Sequence, residues 1–324
     1  MKAVRCNALG SHTGLTVEDV DTPKPGKGEV LIDVKAAGLN FPDVLMVAGK
    51  YQFKAELPFT PGGEGAGVVD ELGEGVTNVK VGDRVIFFNQ TGAFAEKIAA
   101  PAKTLVPMPE KMPFEVAAGF TITYATSYHA LKQRANIQKG ETLLVLGAAG
   151  GVGLATVELG KAMGAVVIAA ASSDEKLEVC KKAGAHHVIN YSGEDLKARV
   201  KEITDGKGVD VIYDPVGGDY TEAALRTMAP GGRLLVIGFA AGDIPKPPLN
   251  LCLLKQCSIV GVFWGNWARA NPGLQVQNMM DMFKMFDDGI IDPLVNDVFS
   301  LDEAVEAFSC LTERRAKGKV ILKP

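Results

Sequence analysis

The amino-acid sequence predicts an α/β protein with a doubly wound parallel sheet in one domain and a second, β-rich domain. Three observations predict this class. The chain has 324 residues, more than one average domain needs. Short β-rich segments separated by turn residues fill the first 110 positions. From Glu141 onward, segments that are apolar throughout alternate with amphipathic helical segments, which is typical of a parallel sheet covered on both faces.

The N-terminal part carries the β-rich pattern, and its spacing predicts a compact barrel or sandwich. Its predicted strands are KAVRC, EVLIDVKAAG, GAGVVDEL, DRVIFF, FAEKIAA and TLVPMP. Near residue 114 the pattern changes to helices, in FEVAAGF and YATSYHALKQRA.

The alternating part predicts five strands and four helices. The strands are TLLVL, AVVIAAA, HVINY, VDVIYD and RLLVIGF, and the helices are VGLATVELGKAM, DEKLEVCKKAGA, GEDLKARVKEIT and YTEAALRTMA. Beyond residue 264 we predict a helix (NMMDMFKMFDDG), a capping box from Ser300 to Glu303, a further helix and a final strand, KVILKP. We therefore assign residues 1–121 and 264–324 to the β-rich domain and residues 122–263 to the parallel sheet.

Composition argues against several classes of function. The net charge is −4 and no run of five like charges occurs, so an extended surface for nucleic acid or anionic lipid is not expected. We expect a cytoplasmic protein, because no apolar run reaches membrane-spanning length and MKAVRCNALG turns polar too early for a signal peptide. Five cysteines without a C-x-x-C pair argue against a disulfide framework and a four-cysteine zinc site, and predict free buried thiols.

Two glycine-rich stretches compete for the role of a phosphate-binding loop, TPGGEGAGVV at 60–69 and LLVLGAAGGVGLATVELG at 143–160. A phosphate loop needs a helix start behind it. Only the second stretch continues into a helical period, whereas the first continues into a strand pattern, VVDELG. We predict that a dinucleotide binds at Gly147, Ala148, Ala149, Gly150, Gly151, Val152 and Gly153. A purely structural tight turn is the alternative, and Ala148 replaces the first glycine of the commoner pattern.

The end of the following strand selects the dinucleotide. A carboxylate about 20 residues after the loop would bind the ribose hydroxyls of NAD. This sequence has Ala171, Ser172 and Ser173 there, with Lys176 one helical turn further on. Two hydroxyls and an ammonium favour the 2′-phosphate of NADPH. Asp174 is the competing acid, but a helix start places it in the first turn, with Ser173 as the N-cap.

The chain resembles the medium-chain dehydrogenase/reductase superfamily in the order of its motifs. These are GEVLIDVKAAGLN, PGGEGAGVV, VGDRV and GAFAE, followed by the nucleotide loop. The resemblance implies a GroES-like catalytic domain beside a Rossmann NADPH-binding domain. Zinc members of that superfamily carry a cysteine and a histidine where this chain has Asn40 and Gly63, so no metal is expected. The resemblance makes Gly63 and Glu64 a vestige of the metal-site geometry, with the neighbouring glycines allowing close packing.

The zinc-free pattern, with GLNFPD and GAAGGVG, resembles the quinone oxidoreductase family, known also from zeta-crystallin. The resemblance implies that Asn40, Asp43, Tyr51 and Thr126 line the nicotinamide cleft. It further implies cofactor contacts from Tyr191, Gly238, Phe239, Asn250, Phe263 and Arg314. Structural alternatives stay open, namely an Asx-turn for Asn40, a helix cap for Asp43 and simple packing for Tyr51 and Thr126. Met46 replaces a tyrosine common in the family.

The leading hypothesis is an NADPH-dependent reductase that passes hydride to a quinone or related conjugated carbonyl. An enoyl-thioester or 2-alkenal reductase is the second hypothesis, and a non-catalytic NADPH-binding structural or RNA-binding protein is the third. The apolar segment CSIVGVFW at the end of the predicted sheet would expose an edge strand, so we also expect a homodimer.

Overall fold

The computed structural model describes all residues from 1 to 324 and divides into two compact units. Met1–Ile122 and Leu294–Pro324 form the first unit, and Thr123–Pro293 forms the second. None of the helices combines the length and the apolar character that crossing a membrane requires.

Before residue 123 the chain is mostly strand. The strands are β1 (Lys2–Arg5), β2 (Thr16–Asp19), β3 (Glu29–Leu39), β4 (Glu64–Leu72), β5 (Arg84–Phe88), β6 (Lys97–Pro101) and β7 (Val106–Pro107). The helical elements are α1 (Phe41–Val47), α2 (Phe114–Ala118), two 3-10 turns (His12–Gly14 and Ala102–Thr104) and a π-helical turn (Thr121–Ala125).

The second unit alternates strands and helices after a short helix, α3 (Thr126–His129), and a π-helical turn (Ala130–Arg134). Its strands are β8 (Thr142–Leu146), β9 (Val166–Ala171), β10 (His187–Asn190), β11 (Val209–Asp214), β12 (Met228–Val236) and β13 (Ser258–Gly261). Its longer helices are α4 (Gly151–Ala162), α5 (Asp174–Lys182), α6 (Leu196–Ile203), α7 (Asp219–Leu225), α8 (Asn250–Lys255), α9 (Trp264–Ala270) and α10 (Pro272–Asp287).

The C-terminal segment returns to the first unit. It contains β14 (Val295–Ser300), a 3-10 turn (Leu301–Glu303), α11 (Ala304–Thr312) and β15 (Lys319–Lys323). The predicted capping box is present, because Ser300 N donates to Glu303 Oε2 over 2.9 Å.

The main sheet of the first unit runs in the order β14-β15-β3-β4-β5-β7, with β6 also paired to β3. Two glycines of the first glycine-rich stretch, Gly65 and Gly67, lie in β4 and permit close packing, as predicted. A Cβ added to Gly65 would lie 2.4 Å from Phe87 Cζ, and one added to Gly67 would lie 2.3 Å from the carbonyl oxygen of Asp33. This stretch is therefore part of the sheet, and no helix starts directly behind it as a phosphate loop requires.

The sheet of the second unit is parallel throughout, in the order β10-β9-β8-β11-β12-β13. This is the doubly wound order in which ligands bind where the strand order reverses, here outside the carboxyl ends of β8 and β11. The predicted fold class is confirmed.

The C-terminal boundary between the units differs from the predicted one. Residues 264–293 belong to the second unit, because α9 and α10 pack on the helical segment that begins this unit. Tyr128 Oη donates to Asp281 Oδ2 over 3.0 Å, and the rings of His129 and Trp267 stack with centroids 4.2 Å apart.

Candidate functional site

The predicted phosphate loop joins β8 to α4 in the second unit. Gly147 has a φ of 56°, in the left-handed region that favours glycine. A Cβ on Gly153 would lie 2.3 Å from the carbonyl oxygen of Gly147, so this position also requires glycine. Gly150 is the N-cap of the 12-residue helix α4 and provides no side-chain cap. The first-turn N–H groups therefore face the loop without a side-chain acceptor, which fits a pyrophosphate.

Ala148 fits the variant turn because it is fully buried and tied to the neighbouring strand. Its N–H donates to the carbonyl oxygen of Ala170 over 3.0 Å. The methyl group of Ala148 is therefore accommodated inside the protein at the turn after β8.

The side chains of Ser172 and Lys176 meet just beyond the end of β9. Lys176 Nζ donates to Ser172 Oγ over 3.3 Å, and Ser173 Oγ accepts from Lys176 N over 3.4 Å as the N-cap of α5. Asp174 lies in the first turn of α5, where its Oδ1 accepts from Asn190 Nδ2 over 2.8 Å. A hydroxyl and an ammonium side by side suit a phosphate group, whereas the nearby carboxylate already has a protein partner.

Asp214, which was not predicted from the sequence, orders the loop beside the glycine loop. Its Oδ1 accepts from the N–H groups of Val216 and Gly217, each over 2.9 Å, and its Oδ2 accepts from Thr221 Oγ1 over 2.6 Å. A Cβ on Gly147 would lie 2.9 Å from Val216 Cγ2, so the two loops touch. The sequence pattern that identifies this loop is Asp-Pro-Val-Gly-Gly directly after a buried strand.

The other predicted cofactor residues of the second unit lie after strands or at helix starts. Phe239 follows β12 together with Gly238 and packs on the loop of Asp214, since a Cβ on Gly217 would lie 3.3 Å from Phe239 Cα. Tyr191 follows β10, with its ring centroid 4.6 Å from that of Tyr220. Asn250 begins α8 and Phe263 precedes α9, and both are exposed.

Thr126 begins α3, between two π-helical turns, a conformation frequent at functional sites. The next residue, Ser127, is buried and ties this segment to the phosphate-loop helix. Ser127 Oγ donates to the carbonyl oxygen of Val152 over 3.0 Å and lies 3.0 Å from Tyr213 Oη. The phosphate loop and the segment that carries Thr126 are thus held together by hydrogen bonds.

In the first unit, Asn40 lies in a closed network of buried hydrogen bonds. Its Nδ2 donates to Glu64 Oε1 over 2.8 Å and to the carbonyl oxygen of Gly38 over 3.2 Å. Its Oδ1 accepts from Lys319 Nζ over 2.8 Å. Both amide protons are therefore used within the protein, and the polar group that Asn40 retains for a ligand is the second lone pair of Oδ1.

Lys319 was not identified from sequence, yet it provides the positive charge of this network. Its Nζ also donates to Glu64 Oε1 and to the carbonyl oxygen of Leu39, each over 2.9 Å. Glu64 Oε2 accepts from Ile122 N over 2.7 Å. Glu64 is fully buried and is compensated by this ion pair, so it has a structural role beyond that of a vestige.

Asp43 is buried beside the network and closes the first turn of α1. Its Oδ2 accepts from Asn40 N over 2.8 Å, so Asp43 is the third residue of a capping box whose N-cap is Asn40, and it does not itself begin the helix. Burial raises the pKa of Asp43 to about 7, with Lys319 lowering it and Glu64 raising it. Tyr51 is half-buried, and burial together with the charge of Asp43 raises its pKa.

Two further residues of the first unit occupy contrasting environments. Met46 is buried in the hydrophobic core, so the position where the family commonly has a tyrosine carries a packing side chain here. Arg314 is exposed after α11 and has a φ of 58°.

The side chains present do not fit a zinc centre. No group of three His, Cys, Asp or Glu side chains has an arrangement that holds a metal ion. At the two positions of the superfamily's metal ligands, Asn40 is bonded to Glu64 and Lys319, and Gly63 has no side chain.

Two protein families match the chain. Residues 26–110 match the alcohol dehydrogenase GroES-like domain, and residues 151–283 match the family described as zinc-binding dehydrogenase. Together they cover parts of both compact units.

Individual proteins match over nearly the whole chain. A quinone oxidoreductase-like protein 2 homolog of Nematostella vectensis is 40% identical, covering 99% of this chain and 88% of that protein. A quinone oxidoreductase of Pseudomonas aeruginosa is 36% identical, covering 100% and 99%. The solved structure of Escherichia coli quinone oxidoreductase complexed with NADPH is 30% identical and superposes with a TM-score of 0.93, covering 100% of both chains.

Proposed function

The chain belongs to the quinone oxidoreductase family of the medium-chain dehydrogenase/reductase superfamily, and from this premise we propose that it is an NADPH-dependent reductase of quinones or related conjugated carbonyls that works without a metal. The observation that carries the proposal is the pairing of Ser172 with Lys176 at the end of β9, on the same sheet edge as the phosphate loop.

The chain's own residues account for cofactor binding in this proposal. The N–H groups at the start of α4 bind the pyrophosphate, and Ser172 and Lys176 bind the 2′-phosphate. The remaining contacts proposed for the cofactor come from Tyr191, Gly238, Phe239, Asn250, Phe263 and Arg314. When bound, NADPH supplies a hydride from C4 of its nicotinamide. The NADPH complex of the E. coli relative supports this assignment.

Asn40, Asp43, Tyr51 and Thr126 are proposed to line the reaction site. The network of Glu64 and Lys319 fixes the orientation of Asn40, so its Oδ1 accepts a hydrogen bond from cofactor or substrate. Asp43 holds the backbone that carries Asn40. Alcohol oxidation relies on a metal ion to stabilise the alkoxide. Hydride transfer to a conjugated carbonyl instead needs hydrogen-bond donors that stabilise the negative charge developing on the carbonyl oxygen.

The test is NADPH oxidation by the purified protein against benzoquinones, naphthoquinones, 2-alkenals and short enoyl-CoA esters, with and without a metal chelator. We expect turnover of quinones that the chelator leaves unchanged. Preference for enoyl-CoA esters or 2-alkenals would assign the alternative reductase activity. Quinone turnover that the chelator abolishes would contradict the proposal, as would chelator-sensitive oxidation of simple alcohols with NADP⁺ in a parallel assay.

We also propose that the protein forms a homodimer through β13. This strand ends the order of the sheet and pairs only with β12, so its outer N–H and C=O groups have no partner strand. Ile259, in the same strand, is 39% exposed. Light scattering should show a dimer that Ile259→Lys disrupts and that Val81→Lys, an exposed position of the first unit, leaves intact. A monomeric parent protein would contradict this assembly.

A further inference from the structure

Cys252 and Cys257 lie at the C-terminal end of α8, just before β13. Gln256 has a φ of 51° and a ψ of 33°, the left-handed conformation that ends many helices. Cys257 N donates to the carbonyl oxygen of Cys252 over 3.2 Å, and Gln256 N donates to that of Leu253 over 3.3 Å. These two bonds define a Schellman motif, which brings its first and last residues, here both cysteines, side by side.

The Schellman motif places the backbones of the two cysteines side by side. The side chain of Cys252 is also close enough to contribute to the raised pKa of the Cys257 thiol. Both residues are partly exposed, whereas Cys6, Cys180 and Cys310 are buried. The sequence predicts buried thiols, and the structure differs for this pair because the short helix α8 lies near the surface.

We propose that Cys252 and Cys257 are a modification site at which a small disulfide, of the oxidised glutathione class, reversibly forms an intramolecular disulfide bond. One cysteine, as thiolate, attacks the oxidant and releases one glutathione thiolate. The other then attacks the mixed disulfide and releases the second. Two cysteine thiols are oxidised to one disulfide, one glutathione disulfide is reduced to two thiols, and the two cysteine protons go to the leaving thiolates.

The chemistry of the pair sets the conditions of this reaction. Burial and the neighbouring Cys252 raise the pKa of the Cys257 thiol, while Lys255 lowers it. Since the thiolate is the attacking form, the rate of oxidation should rise with pH above neutrality. The Schellman motif already holds the two residues side by side, as a disulfide between them requires.

The test treats the full-length protein with oxidised glutathione, followed by denaturation, thiol counting and peptide mapping. The count should fall by two from the five thiols of the reduced protein, with a Cys252–Cys257 linked peptide that dithiothreitol removes. Cys252→Ser should retain at most a mixed disulfide at Cys257, and Cys310→Ser should still form the linked peptide. Stable mixed disulfides at both cysteines without a link, a link between two chains, or no reaction above neutral pH would each overturn the proposal.

Discussion

Lys319 Nζ lies 2.9 Å from Glu64 Oε1, and both side chains are buried in the first compact unit. The two residues are 255 positions apart in the chain, on β15 and β4, and both contact the amide of Asn40. A buried charge that loses its partner is strongly destabilising, whereas removal of both charges is much less so. The pair therefore couples the stability of this unit to the orientation of a predicted site residue.

We expect Lys319→Met to lower the free energy of unfolding by about 3–5 kcal/mol, because Glu64 stays buried without its partner. Lys323→Met is the matched control, since its partner Glu115 is partly exposed and such pairs contribute at most about 1 kcal/mol. Urea unfolding measures both variants. The double variant Glu64→Gln with Lys319→Met should recover part of the loss, and equal effects of Lys319→Met and Lys323→Met would contradict this account.

The pH dependence of stability should contain a contribution from Asp43. Its pKa is about 7 in the folded protein against 3.8 ordinarily, so the folded state binds more protons than the unfolded state between these values. Stability should therefore fall as pH rises from about 4 to about 7, by at most about 1.4 kcal/mol per pH unit, and level off above. Urea midpoints across this range should fall less steeply for Asp43→Asn. Parallel profiles would show that Asp43 titrates normally.

Local patterns in the sequence predicted the parallel sheet and the strand, loop and helix at Thr142–Leu146 and Gly151–Ala162 well, because these signals involve neighbouring residues. Ser173 and Asp174 fell at the predicted helix start for the same reason. Lys319 could not be paired with Glu64 in this way, since 255 positions separate them and no periodicity specifies which strands become neighbours. A lysine that directly precedes the apolar run Val-Ile-Leu of β15 was the available clue.

The boundary at residue 264 and the strand β14 were missed for related reasons. In Val295–Ser300 the residues alternate between half-buried and exposed, so the strand lacks the apolar run that marked the others. Residues 264–293 belong to the second unit through side-chain contacts such as Gln133 Nε2 to Asn278 Oδ1, at 3.0 Å, which helical periodicity alone does not assign to a partner.

The cofactor preference should depend on Lys176. Lys176→Ala removes the ammonium beside Ser172, so NADPH affinity should fall by the value of one charge-assisted hydrogen bond, about 1.5–3 kcal/mol or roughly 10- to 150-fold. NADH affinity should change little, because NADH lacks the 2′-phosphate. Fluorescence titration with both nucleotides measures the difference, with the exposed Lys182→Ala as control. An equal loss for both nucleotides would refute the assignment of the 2′-phosphate site.

Close packing in the phosphate loop predicts different effects of adding a methyl group at two of its glycines. Gly153→Ala would place Cβ 2.3 Å from the carbonyl oxygen of Gly147 and 2.8 Å from Ala148 Cα, both backbone atoms that cannot move independently. We expect a loss of about 1–3 kcal/mol in nucleotide-free stability, together with weaker NADPH binding. Gly150→Ala is the control, since its nearest contact would be 3.4 Å. Thermal unfolding without nucleotide compares the two, and equal stabilities would show that the loop relaxes around the added methyl group.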